Sequence, residues 1–198
     1  MAHLLGRPLT LLAGLIGFTG PAMAGAAGWS LEANVRDPSY AMAEPTSTNL
    51  NIDVVVLSCE QGPERRGLQL RLYLSDAGPL APKVATTALK DDPRVELVVD
   101  GVSRPAELLF ADNFVVVADS ADGTMPLLSD AFLDKLQSGR RLELKFDLVQ
   151  EPRDQAPSFD ASAVVDLQAG VGSRAVAAVR HCADGSTQHL AETPRPSR

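Results

Sequence analysis

The sequence predicts a mainly β (α+β) domain, an antiparallel β-sandwich-like fold with one or two short capping helices. Several segments alternate apolar and polar residues with the two-residue period of a half-buried strand. Helical patterns are few and short, and strands and helices do not alternate along the chain as they do in parallel α/β proteins. The 198 residues, 45% of them hydrophobic, are enough for one globular core.

Two strands are marked by large apolar residues at every second position, in the segments 68–74 and 142–148. Because successive side chains of a strand point to opposite faces, these residues would share a buried face. The intervening residues would face solvent; they are Gln69, Arg71 and Tyr73 in the first segment and Glu143, Lys145 and Asp147 in the second.

Other patterns predict the remaining strands. The segment 95–99 alternates before the dipeptide Asp100-Gly101, which predicts a hairpin turn. The segment 52–57 is a further strand, and the apolar run 114–117 predicts a strand covered on both faces. A strand at 163–169 precedes the last helix.

Two segments predict short helices. The first follows Ser129, whose side chain can cap a helix N-terminus, and it ends at Gly139. Its apolar stripe consists of Phe132, Leu133 and Leu136. The second begins at Ser173 and runs to about Cys182.

The N-terminal segment has the layout of a secretory signal peptide. Arg7 supplies a positive charge, the apolar run 9–18 follows, and Ala22-Met23-Ala24 matches the small-x-small cleavage pattern. A membrane-anchoring helix is the alternative, but the run has about half of the roughly 20 residues that a bilayer span needs. We therefore expect cleavage between Ala24 and Gly25, a periplasmic or secreted protein, and no membrane span after cleavage.

Residues 25–184 would form a single β-rich domain after the signal peptide at 1–24. Loops are predicted around Pro79 and Pro82 and from Pro152 to Pro157. Residues 185–198 include two prolines and almost nothing apolar, which predicts a disordered C-terminal tail.

The charge balance and the rare residue types narrow the function. The chain has 18 Lys and Arg against 25 Asp and Glu, a net charge of −7, and it has no basic run of five or more residues. Nucleic-acid binding is therefore not expected. Only three His and two Cys occur, which leaves little material for metal or nucleophilic chemistry, and no cofactor is predicted.

The segment Gly170-Val171-Gly172-Ser173-Arg174-Ala175 has the G-x-G-x-x-A spacing of a dinucleotide-binding turn. That site requires a second parallel strand with an acidic residue about 20 residues later. Only the polar tail follows here, so the segment is interpreted as a glycine-rich turn between a strand and a helix.

Other catalytic and metal motifs also have simpler explanations. His181 and Cys182 are adjacent, and neighbours on a helix point in different directions, which suits a Cys–His pair poorly. The segment 119–123 resembles a calcium loop but lacks ligands at every second position and a distal Glu, which favours an acidic turn.

A pair of carboxylates for glycoside cleavage stays open as an alternative, because the two acids need not be close in sequence. We predict no specific catalytic or metal-binding residue.

The two cysteines predict a disulfide between Cys59, at the end of a strand, and Cys182, at the end of the last helix. Export makes the bond chemically possible. Two reduced, buried thiols are the alternative.

Several short motifs occur in a recognisable order along the mature chain. They are Trp29, Leu57-Ser58-Cys59, the leucine-alternating strand, Leu133-x-x-Leu136-x-x-Gly139-x-x-Leu142, Phe159-Asp160 and Ala175-x-x-x-Val179-x-x-Cys182. This layout resembles that of type VI secretion-associated accessory proteins and, more faintly, of invasion-associated locus B proteins. The resemblance implies a β-rich periplasmic module without known catalytic residues, so no site residue carries over.

The function expected from these observations is that of an exported, non-enzymatic binding or envelope-accessory module, acting on an unidentified envelope protein or ligand. Two alternatives stay open. One is an envelope hydrolase that uses carboxylates or a serine without a recognisable motif, and the other is a structural or secretion-system subunit.

Overall fold

A computed structural model describes residues 28–75, 80, 89–111, 113–149 and 158–184. Within these ranges the chain is mainly antiparallel β with two short helices, which confirms the predicted fold class. The predicted signal peptide with its Ala24–Gly25 cleavage site, the two predicted proline-rich loops and the predicted tail at 185–198 lie outside the described residues, apart from residue 80.

The described chain forms twelve strands and two helices. In chain order they are β1 (Ser30–Leu31), β2 (Tyr40–Ala43), β3 (Ser47–Thr48), β4 (Ile52–Gln61), β5 (Arg66–Leu74), β6 (Leu89–Val99), β7 (Val102–Phe110), β8 (Phe114–Ala118), β9 (Ser120–Asp122), β10 (Met125–Leu127), α1 (Asp130–Ser138), β11 (Arg141–Val149), β12 (Ala161–Asp166) and α2 (Ser173–Asp184).

Ten strands form one sheet in the order β1-β2-β4-β5-β8-β7-β6-β11-β12-β3, and β9 and β10 form a separate hairpin. The sheet divides at β7, because Val102–Ala106 pair with β6 whereas Glu107–Phe110 pair with β8. We call the strands β1, β2, β4, β5 and β8 the β5 half, and β6, β11, β12 and β3 the β11 half. The two layers of the predicted sandwich-like fold are therefore halves of one continuous sheet.

One core lies between the two halves. Leu70 and Val117 from the β5 half belong to the same buried cluster as Leu97 and Leu144 from the β11 half. The chain links the two ends of the sheet, since β2, next to the edge strand β1, is followed in sequence by β3, the opposite edge strand, which pairs with β12.

The predicted leucine faces are confirmed, because the alternating apolar residues of β5 and β11 are buried in this core, except Leu74, which is partly buried and packs against it. The expected polar face is wrong at Gln69, which is only 6% exposed. The Gln69 amide donates to the Pro126 carbonyl at 2.8 Å and accepts from Arg71, because the β9–β10 hairpin covers this part of β5. The expectation is also wrong at Asp147 in β11, which is buried beneath Lys90 and Arg94.

The β6–β7 hairpin turns at Asp100 and Gly101, as predicted. Val99 pairs with Val102, and the two turn residues have φ values of 49° and 85°. Two successive positive φ values are typical of the type I′ turn, which Asp-Gly favours. The Asp100 carboxylate also accepts hydrogen bonds from the backbone of Arg140 and Arg141, and so attaches the turn to the start of β11.

The two helices contact each other and complete the core. The Ser129 side chain accepts from the Phe132 amide at 3.2 Å, and the Gly139 N–H bonds to the Lys135 carbonyl, so both predicted ends of α1 are confirmed. Arg180 of α2 donates to Asp134 of α1 at 2.6 Å.

Neither of the two helices in the described ranges is long and apolar enough to cross a membrane.

Candidate functional site

A polar groove lies on the outer face of the β11 half and has a volume of about 440 Å³. We call it the β11 groove; it is lined by Asn49, Glu143, Lys145, Phe159, Asp160, Ala161 and Ser162. Glu143 and Lys145 point outward because Leu142, Leu144 and Phe146, which alternate with them, belong to the core. The volume lies within the range of about 300–1,000 Å³ that small-molecule sites occupy.

Lys145 lies in the floor of the β11 groove. In the sheet register it stands between Ser162 of β12 and Glu96 of β6. Glu96 accepts a hydrogen bond from Ser103, and Glu143 lies 3.7 Å from the Arg141 guanidinium. Across the part of the chain that the structure describes, no carboxylate forms an ion pair with the Lys145 ammonium group. This cation is therefore available to a ligand.

Phe159 stands at one end of the β11 groove with 38% of its surface exposed. The guanidinium carbon of Arg94 lies 5.7 Å from the centroid of its ring. A cation at this distance is attracted to the negative face of an aromatic ring. Arg94 therefore helps to hold an exposed ring in place.

A fully buried carboxylate, that of Asp147, holds Arg94 in turn. Its Oδ2 accepts from Arg94 Nε at 2.8 Å and from Arg94 Nη2, and its Oδ1 accepts from Lys90 Nζ. Both cations reach Asp147 because β6 bulges at this point. Between two consecutive pairings, β11 advances by two residues, from Asp147 to Val149, whereas β6 advances by five, from Arg94 to Leu89. Burial of a carboxylate is costly unless it is paired, and the two cations supply the pairing.

Replacing Asp147 by Asn is expected to lower the free energy of unfolding by about 2–3 kcal/mol. Asn keeps the shape of the side chain but cannot neutralise Lys90 and Arg94. The loss falls below the roughly 3–5 kcal/mol typical of a broken buried pair, because the Arg94 side chain is half-exposed and can be hydrated. Urea unfolding measures the change, with Asp92→Asn on the exposed part of β6 as the control. Equal stability of the two variants would contradict this role of Asp147.

Hydrogen bonds fix the rim of the β11 groove. Asp160 Oδ2 accepts from the Leu148 amide at 3.0 Å, and the Asp160 amide donates to the Phe146 carbonyl at 2.9 Å. Asn49 donates to the Asp160 carbonyl and accepts from the Ser162 amide at 2.8 Å. The groove is therefore built from parts that are already held in place.

The two carboxylates that line the groove do not converge. Glu143 pairs with Val164, four residues beyond Asp160, which corresponds to roughly 13 Å along a strand. The Asp160 side chain is also directed to Leu148, on the side away from Glu143. Glycoside hydrolysis requires two carboxyl groups about 5–10 Å apart on either side of the scissile bond. Glu143 and Asp160 are therefore not placed as such a pair.

The predicted disulfide between Cys59 and Cys182 is confirmed. The Cα atoms of the two residues lie 6.2 Å apart, within the range that a disulfide spans. The bond joins the end of α2 to β4, and Arg66 Nη1 lies 3.5 Å from Cys182 Sγ. Because Cys182 is bonded, it offers no thiol to the neighbouring His181, which is exposed on α2.

The glycine-rich segment 170–175 is the predicted turn between β12 and α2. Gly170 and Gly172 have φ values of 66° and 55°, and a Cβ on Gly170 would lie 2.2 Å from the Trp29 carbonyl oxygen. Both neighbours of β12 are antiparallel to it, unlike the sheet of a dinucleotide-binding fold. Backbone conformation and close packing thus explain these glycines.

The acidic segment 119–123 forms the start of the β9–β10 hairpin, in line with the predicted turn. The Asp119 carboxylate is already used, since it accepts from the Ser129 amide at 2.7 Å and from Arg104 Nη1 at 3.0 Å. Among the described residues, no group of three or more His, Cys, Asp or Glu side chains is arranged to hold a metal ion.

No motif in the sequence marks the residues of the β11 groove as a site. Lys145 was expected only on a solvated strand face, and Phe159 was noted only within a short motif. The sequence contains no signal for Lys145, because two acidic residues flank it on one strand face and only the structure shows that it forms no ion pair with either. Nothing in the sequence indicated that Arg94 would pack on Phe159.

Comparison with known protein families, curated proteins and solved structures finds no match to this chain. The resemblance to type VI secretion-associated accessory proteins and to invasion-associated locus B proteins therefore stays a prediction from the motifs. The assignment of a function rests on the geometry of the groove.

Proposed function

We propose that this chain is an exported binding module of the cell envelope, without catalytic activity of its own, and that the β11 groove is its ligand site. The observation that carries this proposal is the combination of an unpaired cation, Lys145, and an exposed aromatic ring, Phe159, in one preformed groove. Ligand sites commonly combine apolar surface with a few fixed polar groups in this way.

Two observations support export. Residues 1–24 have the layout of a signal peptide, and Cys59 and Cys182 form a disulfide. Disulfides persist in oxidising compartments such as the periplasm and are rare in the cytosol. The motif resemblance to exported accessory proteins agrees with this location.

The other charged groups near the groove support binding rather than catalysis. The carboxylates of Asp147 and Asp160 are committed to hydrogen bonds within the fold. They position Arg94 and the rim of the groove, and they are not aimed at a common point where a substrate could react.

Retention on isolated envelope material tests the proposal. The mature wild-type chain and the Lys145→Gln/Phe159→Ala variant are compared with Lys135→Gln, whose side chain is exposed on α1 away from the groove. We expect the wild type and the Lys135 variant to be retained equally, and the groove variant to be lost from the bound fraction. Equal retention of all three folded proteins would contradict a ligand site in the groove.

An assembly or secretion-system subunit is the second candidate. Leu109 and Phe110, at the end of β7, are 38% and 42% exposed, and exposed apolar residues that cluster can mark a protein contact. The same experiment separates the two candidates with a Leu109→Ser/Phe110→Ser variant. Retention that depends on this pair and not on Lys145 and Phe159 would favour the subunit.

A further inference from the structure

We propose that the ligand of the β11 groove is an acidic oligosaccharide, a sugar chain that carries a carboxylate. The carboxylate would bind Lys145, and a neighbouring sugar ring would pack on Phe159. This inference rests on the proposed function and adds the chemical class of the ligand.

Lys145 selects for a single negative charge. Its ammonium group has three hydrogen-bond donors and forms no ion pair with any carboxylate of the described residues. Glu143 lines the same groove, and the whole chain carries a net charge of −7. Glu96 also stands opposite Lys145 in the sheet register. A polyanion such as a nucleic acid or a polyphosphate would therefore be repelled, whereas a single carboxylate brings only one negative charge to Lys145.

Phe159 selects for a ligand with a flat, weakly apolar face. The C–H groups on one face of a sugar ring provide such a surface, whereas the hydroxyl groups at its edge remain free for polar contacts. The exposed ring of Phe159 offers apolar area, and its contact with Arg94 limits its motion. A ring that is already ordered loses little entropy when a ligand binds.

The spacing between Phe159 and Lys145 determines the length of the ligand. Lys145 is paired with Ser162 of β12, and Phe159 lies three residues before Ser162, just outside the strand, so the chain between them spans at most about 11 Å. Two linked sugar rings span such a distance. A disaccharide can therefore place one ring on Phe159 and the carboxylate of the next ring on Lys145.

Ser162 supplies a polar contact between these two points. Its amide is bonded to Asn49, but within the described ranges its hydroxyl group has no hydrogen-bond partner. A hydroxyl can both donate and accept, as can the hydroxyl groups of a sugar. Asn49 is less suited to this role because both ends of its amide are bonded within the rim.

Two matched sugars test the inference, cellobiouronate and cellobiose, which differ by one carboxylate. Each is titrated into the mature, oxidised protein, with dialanine as a zwitterionic probe that is not a sugar. Binding is followed by changes in the amide NMR signals. We expect cellobiouronate to shift the signals of Lys145, Phe159 and Ser162, and to bind about tenfold or more tightly than cellobiose, because the bond to a charged group is lost with the neutral sugar.

Single variants locate the two contacts. Lys145→Gln should weaken cellobiouronate binding about tenfold and leave cellobiose binding unchanged, and Lys145→Arg should restore much of the loss. Phe159→Ala should weaken binding of both sugars, and Lys135→Gln should affect neither. Circular dichroism shows whether each variant is folded.

The outcomes separate this inference from the proposed function. Equal affinity for the two sugars, or no effect of Lys145→Gln, would overturn the acidic class. Shifts in the groove with dialanine alone would overturn a sugar ligand and leave a binding module. Signals that do not move with any probe would overturn the inference, while retention on envelope material decides the proposed function separately.

Discussion

Replacing Leu144 by Asp is expected to abolish soluble folding, because Leu144 is fully buried in β11 between Leu97 of β6 and Ala163 of β12. Even when protonated, a carboxyl group buried without a partner costs roughly 2–7 kcal/mol. Loss of the packed leucine adds about 2–5 kcal/mol. The sum is comparable with the whole stability of a typical domain, about 5–15 kcal/mol.

The neighbouring residue provides the matched control. Glu143 lies on the outer face of the same strand, so Glu143→Gln should leave soluble yield and the urea midpoint nearly unchanged. Leu72→Asp should behave as Leu144→Asp does, since Leu72 is equally buried in the β5 half. A soluble, folded Leu144→Asp protein would show that the leucines do not line the core.

Removal of the disulfide is expected to have the second-largest effect. The bond joins residues separated by 123 positions, and in the chain-entropy model a loop of this length stabilises the fold by about 5 kcal/mol. For a domain of this size that corresponds to a decrease of about 10–20 °C in melting temperature. The 12 residues of α2 are also too few to form a stable helix alone, so its attachment to β4 contributes to its order.

Cys59→Ser and Cys182→Ser should therefore melt at a lower temperature, and limited proteolysis should cleave α2 earlier than in the wild type. The wild-type protein under reducing conditions is the control, and it should melt close to the two variants. A variant that has the same melting temperature as the oxidised wild type, and that resists proteases equally well, would contradict a stabilising role for the bond.

The strands that the sequence predicted are those with large side chains on alternate positions, such as the leucines of β5 and β11. The strand β2 was not predicted because its inward residues, Ala41 and Ala43, are small and give a weak pattern. The strand β7 was only implied by the hairpin, since Pro105 interrupts its sequence and most of its residues are exposed. Pro105 precedes the point at which β7 changes its partner from β6 to β8.

Tertiary contacts explain why the polar faces were predicted less well. Gln69 is covered by a hairpin some 50 residues away in sequence, and Asp147 is covered by two cations that a bulge in β6 places over it. Neither contact has a periodic signature. The disulfide was predictable because the chain has only two cysteines and a signal peptide pattern, whereas the groove depends on the register between β11 and β12.

The proposed export is the central claim, because the binding function of the envelope module depends on it, and the intact mass of the protein recovered from the periplasm tests it most directly. Expression of the full chain should yield a protein that begins at Gly25. Its mass should be lower than that of the reduced chain by the mass of two hydrogen atoms. Thiol titration of the denatured but unreduced protein should find no free thiol. A chain that still begins at Met1, or one in which Cys59 and Cys182 both titrate as thiols, would contradict the account.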